Sequence, residues 1–200
     1  MKTDHLIPAI ATALLLGAAV TAAQAGSISG TIKCKGLRSS ADAVVYVDAV
    51  EGAEFKAPEE PVLMDQLNME FVPHVLPVLK GTTVDFQNSD TVLHNVFTPD
   101  KCAEQFNLGS WPKGEIRSYT FADPCAAVVL CNVHPEMEAF VFAAPTPWYA
   151  VTAKDGSYEI PDVPEGKYTI RVWHPKLEEA KQEIEVTAEG STSFDAEIKR

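Results

Sequence analysis

From residue 26 onward the chain is cut into short runs of alternating apolar and polar residues, punctuated by glycine, proline, asparagine and aspartate. The runs are Ser27–Lys33, Val44–Ala49, Val75–Leu79, Thr82–Gln87, Val92–Thr98, Ile116–Phe121, Ala126–Leu130 and Ala139–Ala143. A second series follows at Tyr149–Ala153, Tyr158–Ile160, Tyr168–Trp173, Gln182–Thr187 and Thr192–Ile198. Alternation buries one face of a strand, and short strands with turn residues between them argue for sandwiches rather than βαβ units. The expected class is all-β. One helical turn is expected at Pro175–Lys181, where Lys, Glu and Leu collect.

Residues 1–25 read as an export leader. Lys2 and His5 precede an apolar stretch from Ile10 to Val20, and Ala23-Gln24-Ala25 offers the small residues a signal peptidase reads. Cleavage is expected after Ala25, delivering the protein to the periplasm or beyond. The apolar stretch is short for a bilayer span, and no cysteine follows the cut to take a lipid. The leader carries one Lys and one Asp, so the net charge of −12 survives its removal. Phosphate backbones repel such a chain, which excludes nucleic acid as a partner. The charge suits either docking of a basic protein or plain solubility after export.

Two proline-rich connectors, Glu51–Pro61 and Ala144–Pro147, divide the mature chain into pieces at 26–60, 61–144 and 145–200. Such segments are stiff and cannot enter a central strand. In the last piece, Asp155-Gly156 signals a hairpin turn and Pro164-Glu165-Gly166 a second turn, together predicting a meander.

The middle piece carries the chemistry. Cys131, His134 and Met137 fall in L-C-N-V-H-P-E-M, and His94 ends the run S-D-T-V-L-H. A thiolate and two imidazoles with a weak thioether are the donor set of a type 1 copper centre, acceptable to both Cu(I) and Cu(II). Zinc avoids thioether, and the C-x-x-C-H of a haem attachment is absent from the sequence. A Cys–His pair can also be a nucleophile and its base, but no orienting Asn or Asp motif accompanies this one. With Cys131 on a metal, three cysteines remain: Cys102 is expected to pair with Cys125, and Cys34 to be an inert core residue. His74 and His174 lie outside the motif and are expected at the surface or in structural hydrogen bonds. Glu136 is expected to face solvent, the alternative being an axial oxygen ligand.

These motifs resemble the cupredoxins, the blue copper proteins such as plastocyanin and amicyanin. The resemblance spans Val62–Ala143 and rests on L-P-V-L-K-G-T-T-V-D-F-Q-N-S-D, L-H-N-V-F and the short loop C-N-V-H-P-E-M. It implies a Greek-key sandwich binding one copper ion, with His94, Cys131 and His134 equatorial and Met137 axial. It also implies that Asn95 braces the thiolate and that Pro135 stiffens the loop. The chain departs from the pattern at Pro124-Cys125, where proline-glycine is common, and at Leu130, where an aromatic often precedes the cysteine. The phrase D-G-S-Y-E-I-P-D-V-P-E-G-K-Y-T-I-R-V resembles a carboxypeptidase-regulatory-like domain, a small transthyretin-like sandwich. G-S-I-S-G-T-I and A-V-V-Y-V are similar to its opening strands. One sandwich interrupted by another is therefore expected, with Ser27–Lys33 pairing with strands from 149–198.

The expected function is single-electron transfer between redox proteins such as a c-type cytochrome or a dehydrogenase, with no bond-making catalysis. The exposed edge of His134, framed by Leu93, Val133 and Pro135, would be the electron's exit. Two other readings are a copper carrier without redox turnover, and an adhesion or carbohydrate-binding module. The latter would use Trp148, Tyr149, Tyr158, Tyr168 and Trp173 as a platform.

Overall fold

The computed structural model describes residues 25–200, so the expected leader lies outside the described residues apart from Ala25. It comprises four sheets, built as two sandwiches. The outer sandwich is assembled from both ends of the chain. In its first sheet, β1 (Ala25–Cys34) lies between β13 (Ser157–Pro164) and the short strands β16 (Ser191–Ser193) and β17 (Ala196–Ile198). The pairing is antiparallel with β13 and parallel with the other two. The handover from β16 to β17 occurs around Gly30, where an added Cβ would lie 2.0 Å from the Phe194 carbonyl oxygen. Only glycine admits that approach. The second sheet runs β12 (Tyr149–Val151), β2 (Val44–Val47), β14 (Gly166–His174), β15 (Leu177–Val186). Ile28, Ile32, Cys34, Val45, Val47, Ile160, Ile170 and Val172 fill the space between these sheets.

The middle sandwich has one sheet ordered β4 (Glu70–Val72), β3 (Val62–Leu67), β6 (Thr83–Asn88), β9 (Ile116–Thr120). The other is ordered β5 (Val75–Leu79), β11 (Glu138–Ala144), β10 (Cys125–Leu130), β7 (His94–Phe97), β8 (Asn107–Trp111). Met64, Phe86, Val96, Trp111, Phe121, Val129 and Val141 form its core, which also takes in Cys131 and Met137. Prolines inside strands sit where no ladder donor is missed: Pro77 on β5 and Pro161 on β13, both edge strands.

Strands β2 and β11 are apolar on both faces because each serves two cores. Val45 and Val47 point into the outer sandwich, while Val44 and Tyr46 meet Phe142 and Ala144 of β11 in a third cluster between the sandwiches. Trp173, Phe140, Tyr149 and Val151 pack against that cluster. It is the seam of the molecule.

Two expectations are corrected. Pro175–Lys181 is not helical: Pro175 and Lys176 turn the chain and Leu177 opens β15, which pairs antiparallel with β14. Glu178, Lys181, Glu183 and Glu185 face solvent, and pairing with β14 along the whole run wins over helix propensity. Asp155-Gly156 does form a tight turn, with Gly156 at φ +90°. Its flanking strands, however, belong to opposite sheets, so the last piece is not a meander. Strands β3, β4 and β8 answer to no expected run.

Candidate metal centre

His94 opens β7, and its chain partner across the ladder is Trp111 of β8. Cys131 follows directly on the last residue of β10, Leu130, and the loop closes within one turn as the Met137 N–H donates to the His134 carbonyl at 3.0 Å. The loop thus hangs between β10 and β11, an adjacent antiparallel pair in which Leu130 faces Glu138. His94, Cys131 and His134 come together with their donor atoms all within 4.8 Å of one another. Nδ1 of His94 lies 3.0 Å from Nδ1 of His134, and Sγ of Cys131 lies 4.0 Å from the latter. Met137 is buried in the same core cluster as Cys131.

Asn95 ties the two halves of the site. Its N–H points at Sγ of Cys131 at 3.4 Å, and its side-chain oxygen accepts the N–H of Asn132 at 3.2 Å. Its amide group donates to the Gly109 carbonyl at 2.7 Å and to Oδ1 of Asn107 at 3.0 Å, anchoring it on β8. A hydrogen bond to sulfur stabilises the thiolate form that a metal needs. Pro135 is exposed within the loop.

Sequence reasoning missed Asp90. Its Oδ2 lies 2.9 Å from Nε2 of His94. The signal was present as a carboxylate four residues before the histidine, but only the loop geometry brings the two together. Burial pushes the Asp90 carboxyl up, yet the Met69 N–H, the His94 ring and the Asn68 N–H outweigh it, holding the group below its ordinary range.

The donor set fits copper. Nδ1 of His94 faces the same space as Nδ1 of His134 and Sγ of Cys131, while Nε2 of His94 is turned toward Asp90. Cys131 and His134 supply sulfur and nitrogen of the softness that copper takes.

The other candidates fall elsewhere. Cys102 and Cys125 form a disulfide, whereas Cys34 is free and buried, its thiol pushed up chiefly by burial. His74 shares a 2.9 Å hydrogen bond with Asp42 across the seam, and Nδ1 of His174 accepts the Lys176 N–H at 3.0 Å. Glu136 is exposed and lines, with Glu70, Glu138, Asp42 and His74, a cleft of about 400 Å³ on the Met137 side. Leu93 and Val133 are 53% and 46% exposed, and Val92, which sequence reasoning left out, is 43% exposed. The five aromatics of the expected platform do not share a face. Tyr158 is in the outer core, Tyr149 and Trp173 are in the seam, and Trp148 packs on Tyr168 and Phe55.

Residues 134–199 match the carboxypeptidase regulatory-like domain. The match begins inside the ligand loop and leaves out β1 and β2, which complete the same sandwich from the other end of the chain. No curated protein matches the sequence. Among solved structures, the chain is similar to the Cu-containing nitrite reductase (NirK) of Thermus scotoductus SA-01, at 27% identity and a TM-score of 0.41. That likeness covers 48% of this chain and 25% of the reductase, so the chain spans about a quarter of that protein. It is also similar to a mutant of amicyanin in the Cu(I) form, at 21% identity and a TM-score of 0.41, over 44% of this chain and 86% of amicyanin. A purple cupredoxin from Nitrosopumilus maritimus is similar at 21% identity and a TM-score of 0.38, over 42% of this chain and 99% of its own. Over residues 134–199, then, the chain is similar to a carboxypeptidase regulatory-like domain, and over part of its length to proteins that include cupredoxins. Among the described residues no helix is long and apolar enough to cross a membrane.

Proposed function

We propose that this is an exported single-electron carrier with one type 1 copper ion. The observation that supports the reading is the convergence of two imidazole nitrogens and a thiol sulfur within 4.8 Å, with a backbone N–H already aimed at the sulfur. When bound there, copper supplies one-electron chemistry between its cuprous and cupric states. The residues do the rest. Cys131, His94 and His134, all delivered by one sheet, would hold the metal, and Met137 would offer a weak thioether that tunes potential rather than affinity. Pro135 and the Asn95 bridge hold the loop still, which keeps reorganisation small during transfer. With every donor position served by the chain, no site is left for a substrate. His134 is half-buried, with exposed Leu93 and Val133 in the neighbouring loops. That apolar ground favours a brief encounter with a donor or acceptor protein, a c-type cytochrome or a dehydrogenase, steered by the net charge of −12.

Loading the purified protein with Cu(II) is expected to give an intense sulfur-to-copper band in the visible and an unusually small parallel hyperfine splitting. Cys131→Ser is expected to abolish both. A pale tetragonal spectrum in the unaltered protein would sink the reading, since Cys131 would then not be a ligand. A blue spectrum with slow, irreversible voltammetry and ready copper loss would move the function to copper handling.

A further inference from the structure

We propose that Asp90 is a positioning residue that sets the tautomer of His94 and, through it, the redox poise of the site; the second half rests on the copper reading above. The carboxylate is placed with unusual completeness. Its Oδ2 meets Nε2 of His94 at 2.9 Å and also takes the Met69 N–H at 2.9 Å, while Oδ1 takes the Asn68 N–H at 2.8 Å. Three donors thus converge on two oxygens. An ionised carboxylate can only accept, so the shared proton belongs to His94, and Nδ1 is left as the sole lone pair of that ring.

The loop that delivers Asp90 is built from within the fold. Asn88, fully buried at the end of β6, accepts the Asp90 N–H on Oδ1 at 2.9 Å. Its amide donates to the carbonyls of Val92 at 2.8 Å and Trp111 at 2.9 Å. The turn between β3 and β4, where Asn68 and Met69 both adopt positive φ, presents its two N–H groups to the carboxylate. No part of this brace uses a metal, so it orients His94 before loading.

The charge has a further effect. The His94 side chain is 0% exposed and that of Asp90 14%, so little water screens the pair. A negative carboxylate behind an imidazole makes the ring a stronger donor. Stronger donation favours the cupric over the cuprous state, which lowers the reduction potential. Asn in place of Asp90 removes the charge and leaves one acceptor oxygen for three donors. Glu keeps the charge with a longer reach.

Two measurements test this. Nitrogen-15 NMR of the metal-free protein is expected to find the His94 proton on Nε2; a proton on Nδ1 would overturn the proposal, and this result needs neither copper nor a variant. Voltammetry of the copper-loaded protein is expected to place Asp90→Asn above the unaltered protein in potential, with the blue band kept and Asp90→Glu moving back toward the starting value. Equal potentials for the unaltered protein and Asp90→Asn, with the near-ultraviolet dichroism retained, would overturn the redox half. Equal shifts for Asn and Glu would overturn the role of charge. An unaltered protein with no blue band defeats the copper reading itself, and the tautomer measurement still decides the first half alone.

Discussion

At the scale of single residues, His174 shows how burial turns into pH dependence. It is 6% exposed at the end of β14, and its Nδ1 accepts the Lys176 N–H, which only a neutral ring can do. Burial lowers its pKa from the ordinary 6.5, Lys176 and His74 lower it further, and Asp42 and the Ala41 backbone pull the other way. A depressed pKa means that the unfolded chain binds the proton more readily, so the stabilisation is fully present above about pH 6.5 and is lost as pH falls through the folded value. Chemical denaturation at pH 7.5 and pH 5 is expected to show a smaller loss of stability in His174→Gln than in the unaltered protein. His94, Cys131 and His134, which the fold brings together, stood out at this scale because a cysteine, two histidines and a methionine at such spacing are an uncommon set. Asp90 and Asn88 were not, since an aspartate in a loop and an asparagine at a strand end announce turns, and their partners at Asn68, Met69 and Trp111 are distant in sequence.

Among elements, the disulfide joins the 3-10 turn at Lys101–Ala103 to the first residue of β10, the strand that ends at Cys131. The same turn is held twice more: Oδ2 of Asp100 accepts the Val128 N–H at 2.7 Å, and the Tyr119 hydroxyl donates to the Ala103 carbonyl at 3.0 Å. Closing a loop of separation 23 restrains the unfolded chain, and for that length Cys102→Ala with Cys125→Ala is expected to cost about 3 kcal/mol in urea titrations. The blue band should survive, since the other two ties remain. Most strands were readable from their alternation. β3 hid because buried Gln66 stands where an apolar residue would keep the pattern, β4 spans only three residues, and β8 is an edge strand exposed along most of its length. Glu- and Lys-rich β15 imitated a helix for the same reason that it lies on an edge: six of its ten side chains face water, with no pattern of burial until Ile184 and Val186.

For the whole molecule, the question is how firmly two sandwiches hold together. Phe142 lies at the centre of the seam, its ring 4.8 Å from Tyr46 and 5.2 Å from Trp173, centre to centre. Truncating a buried phenylalanine leaves a cavity, and Phe142→Ala is expected to destabilise the protein by about 3 kcal/mol. Calorimetry of that variant is expected to resolve two transitions, where the unaltered protein melts in one. A single transition in both would mean that the seam does not couple the sandwiches through Phe142. The seam was not legible: β2 and β11 were read as alternating strands, yet each is apolar on both faces, as a strand wedged between two cores must be.

The covalent route across the seam has a mechanical consequence. The chain leaves the outer sandwich from β2 and returns through β12, and those strands are antiparallel neighbours, Tyr46 opposite Tyr149. The middle sandwich is therefore mounted on two leads fixed about 5 Å apart, as pins in a socket are. A single lead is a swivel, whereas a pair resists twisting. Whatever protein grips the outer sandwich would find the His134 edge at much the same bearing on each visit, and the search for a productive alignment would begin with one angle already narrowed.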